Sequence, residues 1–343
     1  MKTIGILGAG WGIALAVLLH KNGHQVSIWT PFEEEIATLS KERESKKTLP
    51  GVRIPDDVTL TNDLREAVWH KDLVVVAGPS QFTRKTAQDY AAWIEEGQIV
   101  LTVSKGIEES SLKTMAEVLE EVLPQAKVAV MTGPSHAEEV GRGLPTAIVV
   151  GARQKSTAKF IQSLFMNDTF RVYTSPDVLG MELGSSLKNV VALAAGIADG
   201  LGYGDNAKAA LITRGIHEIA QLGIALGGKY ETFYGLTGIG DLIVTCASLH
   251  SRNRRAGMLI GQGYTMKEAM DEVQMMVEGV FSAKAALALA NQVSVEMPIV
   301  EQVNQVLFHE KPADLAVREL MGRDAKTEIS SLPWEVDDGD DMR

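Results

Sequence analysis

Residues 4–16 read IGILGAGWGIALA, an apolar strand that passes through a glycine turn directly into an apolar helix. A junction of this kind opens a dinucleotide-binding βαβ unit. Gly8 permits the tight turn, Gly10 lets the backbone approach a pyrophosphate, and the helix opening at Trp11 offers unpaired N–H groups and a positive dipole end to an anion. The third glycine, Gly12, stands one residue earlier than in the G-x-G-x-x-G pattern. The acidic residue that usually meets the adenosine ribose is also missing from the end of the second strand, 25–29, which runs into Thr30. Glu33 to Glu35 fall slightly late, and no Arg or Lys stands there to receive a 2′-phosphate. The expected cofactor is therefore NAD or NADP, with the choice between them open.

At 343 residues and 45% hydrophobic, the chain can bury a substantial core, and its length favours two domains. Its formal net charge of -11 opposes non-specific binding to nucleic acid or to an anionic membrane surface, so any phosphate site must be a local basic cluster. The Ala14-Leu15-Ala16 stretch after Lys2 superficially resembles a signal-peptide cleavage site. Cleavage there would remove a strand that the sheet needs, and the single cysteine, Cys246, cannot form an internal disulfide. No apolar run is read as a membrane span, and a cytoplasmic location is expected.

From residue 1 to 175, short β-rich runs alternate with helical patterns, as in a Rossmann-type, doubly wound, mostly parallel sheet. Strands are expected at 3–7, 25–29, 73–77, 99–103, 128–131, 147–150 and 170–173, with a shorter one at 58–60, and a charged helix at 33–44. From 176 to 322 the period becomes helical, giving an all-α C-terminal substrate domain. Its segment 187–198 is apolar nearly all round except for Lys188 and Asn189, which marks a central buried helix. Residues 323–343 are acidic and unpatterned, and a disordered tail is expected there.

Ligands of an open α/β sheet bind beyond the carboxyl ends of its strands. Three segments occupy such places: Gly78-Pro79-Ser80, Ser104-Lys105-Gly106 and Thr132-Gly133-Pro134-Ser135-His136. Lys105 would put a positive charge on the crevice floor, against the plainer reading of a solvated strand-end lysine. Ser135 begins an S-x-x-E capping box with Glu138, which is compatible with a ligand role. Lys188 interrupts an apolar helix, so its ammonium must find a partner, reach water or shed its proton, and a lysine held that way suits acid–base work. Asp241, after Gly238-Ile239-Gly240, is either a helix N-cap or the partner of Lys188. Ser251-Arg252-Asn253-Arg254-Arg255 gathers three guanidinium groups that suit a phosphate, although helical spacing turns Arg254 away from Arg252 and Arg255. A metal site is not expected: His20 and His24 are separated by an Asn22-Gly23 turn.

Taken together these segments resemble the NAD(P)-dependent glycerol-3-phosphate dehydrogenases of bacterial type, from Ile4 to about Pro298. The resemblance is carried by Ser104-Lys105-Gly106-Ile107-Glu108, by residues 133–139 (GPSHAEE), 182–189 (ELGSSLKN) and 200–206 (GLGYGDN), by Gly238-Ile239-Gly240-Asp241-Leu242 and by His250-Ser251-Arg252-Asn253-Arg254. It implies acid–base chemistry at Lys188, a second substrate lysine at Lys105, and substrate contacts at Gly133, Ser135, Asp241, Ser251, Arg252 and Asn253. Cofactor contacts are implied at Trp11, Lys105, Ala137, Arg252, Met276 and Glu278, beside Gly8, Gly10 and Gly12. The family's G-A-G-S-W-G loop lacks its serine here. The implied reaction is reduction of dihydroxyacetone phosphate to sn-glycerol 3-phosphate by NADH or NADPH, without a metal, feeding phospholipid synthesis, in a homodimer. Competing readings are a ketopantoate- or β-hydroxyacid-type reductase, whose substrates carry a carboxylate instead of a phosphate, and a non-catalytic dinucleotide sensor.

Overall fold

The computed structural model describes residues 1–325, 327, 328 and 335. Most of the expected tail, including residues 336–343, lies outside the described residues. Eight strands form one sheet: β1 (Thr3–Leu7), β2 (Gln25–Trp29), β3 (Thr59–Thr61), β4 (Leu73–Val76), β5 (Ile99–Thr102), β6 (Lys127–Thr132), β7 (Thr146–Ala152) and β8 (Phe170–Ser175). Their order is β3-β2-β1-β4-β5-β6-β7-β8, and every pairing is parallel except β6 with β7. The chain order therefore reverses between β1 and β4. Such a switch point leaves a crevice beyond the strand ends, where dinucleotides bind in sheets of this type.

The central strands are apolar on both faces because helices cover both. Ile4, Ile6, Val75 and Leu101 pack to one side with the helix Trp11–Lys21, while Leu7, Val74, Val76 and Val100 pack to the other with Ala87, Tyr90 and Leu119.

Beyond β8 the chain is helical. The helix Val178–Gly200 is capped by Asp177, whose Oδ1 accepts from the Gly180 N–H at 3.0 Å. It contains the expected segment 187–198, and every residue from Gly180 to Ala198 is buried. By length and hydropathy it is apolar enough to cross a membrane, which corrects the expectation drawn from run lengths. Here it serves as the core of the helical domain, ringed by Ile216, Leu242, Ala256, Val280 and Val300. Of its three charges, Glu182 and Lys188 are interior as well, and each finds partners, while Asp199 near its end pairs with Arg254 and Lys208.

One neighbouring helix approaches it much more closely than side chains would allow. Helix Arg252–Gly261 lies against the central helix through Gly196 and Gly200 on one side and Gly257 and Gly261 on the other. A Cβ added at Gly196 would stand 2.1 Å from the Arg254 carbonyl oxygen, and one at Gly257 would stand 2.2 Å from that of Leu193. This contact brings the start of helix Arg252–Gly261 beside Asn189, so the packing glycines also set the geometry of the site. Gly257→Ala should destabilise the protein by about 1–3 kcal/mol, the usual cost of overpacking. Chemical unfolding measures it, and an unchanged midpoint would contradict the close contact.

Candidate active site

The glycine turn after β1 meets all three requirements of its kind despite the displaced third glycine. Gly8 has φ +125°, and a Cβ there would stand 2.9 Å from the Ala77 backbone. Gly12 lets the helix approach the strand, since a Cβ would stand 2.8 Å from Ile6 Cγ2. Gly10 faces open space, with nothing within 4 Å of an added Cβ. Helix Trp11–Lys21 starts there with no side-chain cap and no acidic residue in its first turn. Its N–H groups and positive end are thus left for an anion, and a dinucleotide pyrophosphate fits that cradle. Trp11 and Ala137 pack against the hydrophobic core beneath.

Across the crevice, Asp241 receives two ammonium groups. Lys188 Nζ donates to Asp241 Oδ1 at 2.5 Å and to Thr245 Oγ1 at 2.6 Å. Lys105 Nζ, arriving from the loop after β5, donates to Asp241 Oδ2 at 2.7 Å and to the Gly133 carbonyl at 3.2 Å. Of the two readings of Asp241, the partner of Lys188 is the one seen and the N-cap is not. Gly240 occupies the cap position of helix Asp241–Ala247, and the carboxylate points to the lysines instead. Burial pushes Lys188 down from the ordinary lysine value to about 8, assisted by the Lys105 charge and opposed by Asp241. Burial first, then the Lys188 and Lys105 charges, hold the His136 imidazole below its usual value.

The Ser135 capping box is absent. Helix Ala137–Gly141 begins one residue too late for it, with His136 at the cap, and Ser135 Oγ donates to the Gly133 carbonyl at 2.9 Å. That carbonyl also receives Lys105, which places Ser135 beside the lysine pair. Ser251, by contrast, caps its helix, accepting from the Arg254 N–H at 3.2 Å.

Arg254 separates from Arg252 as expected, but Arg255 does not share the face of Arg252. Arg254 is committed to Asp199 at 2.7 Å and to the Ala247 carbonyl at 2.8 Å, and Arg255 is exposed. Arg252 turns inward toward the fields of Glu278 and Glu138, and burial lowers its pKa. Among the described residues its guanidinium makes no hydrogen bond or ion pair. Asn253 is buried, with Nδ2 donating to Asn189 Oδ1 at 3.0 Å and Oδ1 accepting from the Gly279 N–H at 2.8 Å. Glu278 reaches across the crevice to Ser80, whose Oγ donates to Oε2 at 2.8 Å. Met276 lies half-buried two residues before it.

Sequence reasoning assigned no role to Thr245, Ser80 or Asn189. Thr245 lies four residues after Asp241 on one helix, so its proximity was readable from spacing. Ser80 stands in one of the strand-end segments, and only its partner Glu278 was beyond reach of pattern.

Two family models match the chain: "NAD-dependent glycerol-3-phosphate dehydrogenase N-terminus" over residues 3–158 and "NAD-dependent glycerol-3-phosphate dehydrogenase C-terminus" over residues 177–318. The chain belongs to the NAD-dependent glycerol-3-phosphate dehydrogenase family. It is 62% identical over 336 residues to the glycerol-3-phosphate dehydrogenase [NAD(P)+] of Agathobacter rectalis, covering 98% of this chain and 100% of the relative. The Fusobacterium nucleatum enzyme of the same description is 57% identical, covering 96% of this chain and 100% of its own. The crystal structure of glycerol-3-phosphate dehydrogenase from Coxiella burnetii superposes with a TM-score of 0.91 at 35% identity, covering 94% of this chain and 99% of that one.

The lowered Lys188 value has a thermodynamic consequence for this glycerol-3-phosphate dehydrogenase. Between about pH 8 and 10.5 the unfolded chain keeps a proton on Lys188 that the folded chain has released, so this group makes stability rise with pH across that window. Subtracting the unfolding free energy of Lys188→Met from that of the wild type, measured from pH 7 to 10.5, should reveal a rising difference. A flat or falling difference would refute the depressed value.

Proposed function

We propose that this chain is an NAD(P)-dependent oxidoreductase that reversibly reduces dihydroxyacetone phosphate to sn-glycerol 3-phosphate, with Lys188 exchanging the proton of the reacting oxygen. The observation that carries the reading is the pair of ammoniums held by one buried carboxylate: Lys188 and Lys105 share Asp241 at 2.5 and 2.7 Å. When bound, the nicotinamide donates or accepts the hydride at the substrate carbon. The protein supplies everything else. Lys188, its pKa near neutrality, gives its proton to the carbonyl oxygen as negative charge develops there. Lys105 stabilises that charge, and Asp241 with Thr245 fixes the direction of the Lys188 ammonium. Arg252, the one guanidinium of its cluster turned inward and unpaired among the described residues, takes the substrate phosphate with help from Asn253 and Ser251. Gly133 and Ser135 line the floor beside Lys105. Gly8, Gly10, Trp11 and Gly12 receive the pyrophosphate, with Ala137, Met276 and Glu278 completing the cofactor's surroundings.

Residues 1–175 form the dinucleotide domain in this reading and 176–322 the substrate domain. Glycerol 3-phosphate made by the enzyme would supply phospholipid synthesis. We infer a cytoplasmic homodimer. Light scattering at twice the chain mass would support the assembly, and a monomer would exclude it.

Oxidation of NADH or NADPH followed at 340 nm in the presence of dihydroxyacetone phosphate tests the reaction. Lys188→Ala should keep cofactor binding and lose about 10² to 10⁴ in kcat. In the wild type, reduction should decline as pH rises through about 8, because it needs the charged lysine, while oxidation of glycerol 3-phosphate should increase over the same range. Matching pH profiles in both directions would remove Lys188 from the proton transfer. Arg252→Ala should raise KM for dihydroxyacetone phosphate far more than for unphosphorylated dihydroxyacetone. Equal effects would shift the assignment toward a carboxylate substrate.

A further inference from the structure

We propose that Glu35, clamped by Thr30 at the end of β2, accepts the adenosine 2′-hydroxyl and makes this enzyme select NAD(H) over NADP(H). The inference rests on the dinucleotide reading of the glycine turn and deepens it by naming the cofactor. In sheets of this order the adenosine ribose lies near the end of the strand beside β1. Here that strand is β2, and the two are locked together past their ends: the Gly8 N–H donates to the Trp29 carbonyl at 2.9 Å. The carboxylate that selects between cofactors is therefore to be sought within reach of Thr30.

Counted along the chain, Glu35 comes too late to serve. In space it does not. Helix Glu33–Glu42 starts three residues after Thr30, and its first turn brings Glu35 back over the strand end, where Thr30 Oγ1 donates to Glu35 Oε2 at 2.5 Å. Thr30 is itself buried, and its Oγ1 accepts from the Phe32 N–H at 3.4 Å, so the clamp is part of the turn and not a loose surface contact. One carboxylate oxygen is held by the protein, and the other is left to accept from a ligand hydroxyl.

The surrounding charges oppose a 2′-phosphate. Glu33, Glu34 and Glu35 all lie in the first turn of that helix, where an anion would otherwise be welcome. On the adjoining strand, Asp63 follows β3 and caps its own helix. No Lys or Arg occurs in residues 30–35 or 59–64. The next cation along, Arg65, stacks over Trp69 with its guanidinium carbon 4.2 Å from the ring centre. A phosphate dianion at Glu35 would meet like charge with no counterion, whereas a hydroxyl would donate a hydrogen bond to the carboxylate.

Isothermal titration of NADH and NADPH into the wild type, Glu35→Gln and the double variant Phe32→Arg/Glu35→Gln tests this. Phe32 is 66% exposed and makes no side-chain cap, so the arginine should leave the fold intact, which circular dichroism checks. The wild type should bind NADH at least about tenfold more tightly than NADPH, the scale expected from like-charge rejection. Glu35→Gln should cut that preference to about threefold or less, mainly by strengthening NADPH, and the added arginine should reverse it. Equal affinities in the wild type, or an undiminished preference in Glu35→Gln, would overturn the proposal. If NADH binds selectively but dihydroxyacetone phosphate is not turned over with either cofactor, the cofactor choice stands and the proposed reaction falls instead.

Discussion

Two ammonium groups cannot share a water-poor pocket without a negative charge between them, and Asp241 is that charge. It is almost fully buried, as is Lys188, while Lys105 retains some exposure at the crevice. Removing one partner of a buried pair leaves an uncompensated charge, which is why such arrangements hold tightly once formed. The trio of charges retains a net positive excess. Cys246 adds no countercharge, because burial pushes its thiol up to about 12. In the proposed reaction this excess stabilises the carbonyl oxygen as it gains electrons, and the protein sets it in place before substrate enters.

The same trio joins the two halves of the molecule. Lys105 comes from the strand-end loops of the sheet, whereas Lys188 and Asp241 come from the helical half. Further contacts cross the boundary. Glu278 meets Ser80, and Glu182 in the central helix accepts from the Ala116 N–H at 2.9 Å at the start of helix Met115–Val122. Burial raises Glu182 to about 7, opposed by its hydrogen bonds to Thr114 and Ala116. Function and domain docking thus draw on one set of buried polar groups, so a substitution at Asp241 or Glu278 will be felt in both.

Where a residue's environment follows from local period, the sequence was sufficient. The eight strands, the buried segment 187–198 and the turning away of Arg254 are all consequences of spacing along one element. Failures came where one residue of phase changed the outcome. Ser135 missed its capping position because helix Ala137–Gly141 starts one residue later, and only the N-cap alternative for Asp241 fell, because that residue lies just inside its helix. Long-range partners form a second class. Nothing in the local pattern pairs Ser80 with Glu278 or Asn189 with Asn253, because those contacts depend on how two helices and a sheet edge come to rest. The Gly196 and Gly257 contact is of this kind too: each glycine is legible as small, but their meeting requires the crossing itself.

A protein carrying a formal charge of -11 must still attract a phosphorylated substrate and an anionic cofactor. Exposed charges act only over a Debye length of about 8 Å at physiological salt, so the acidic surface contributes little beyond its immediate neighbourhood. Groups within the crevice are screened far less. Arg252, Lys105, Lys188 and the uncapped start of helix Trp11–Lys21 all face that crevice, while Arg254 and Lys208 are paired with Asp199. Where the cations are placed, more than their total number, is what gives this acidic chain a positive interior address. Arg252 is half-buried with no hydrogen bond or ion pair among the described residues, so in the proposed function its desolvation is offset when the substrate phosphate arrives and the site is most stable when occupied.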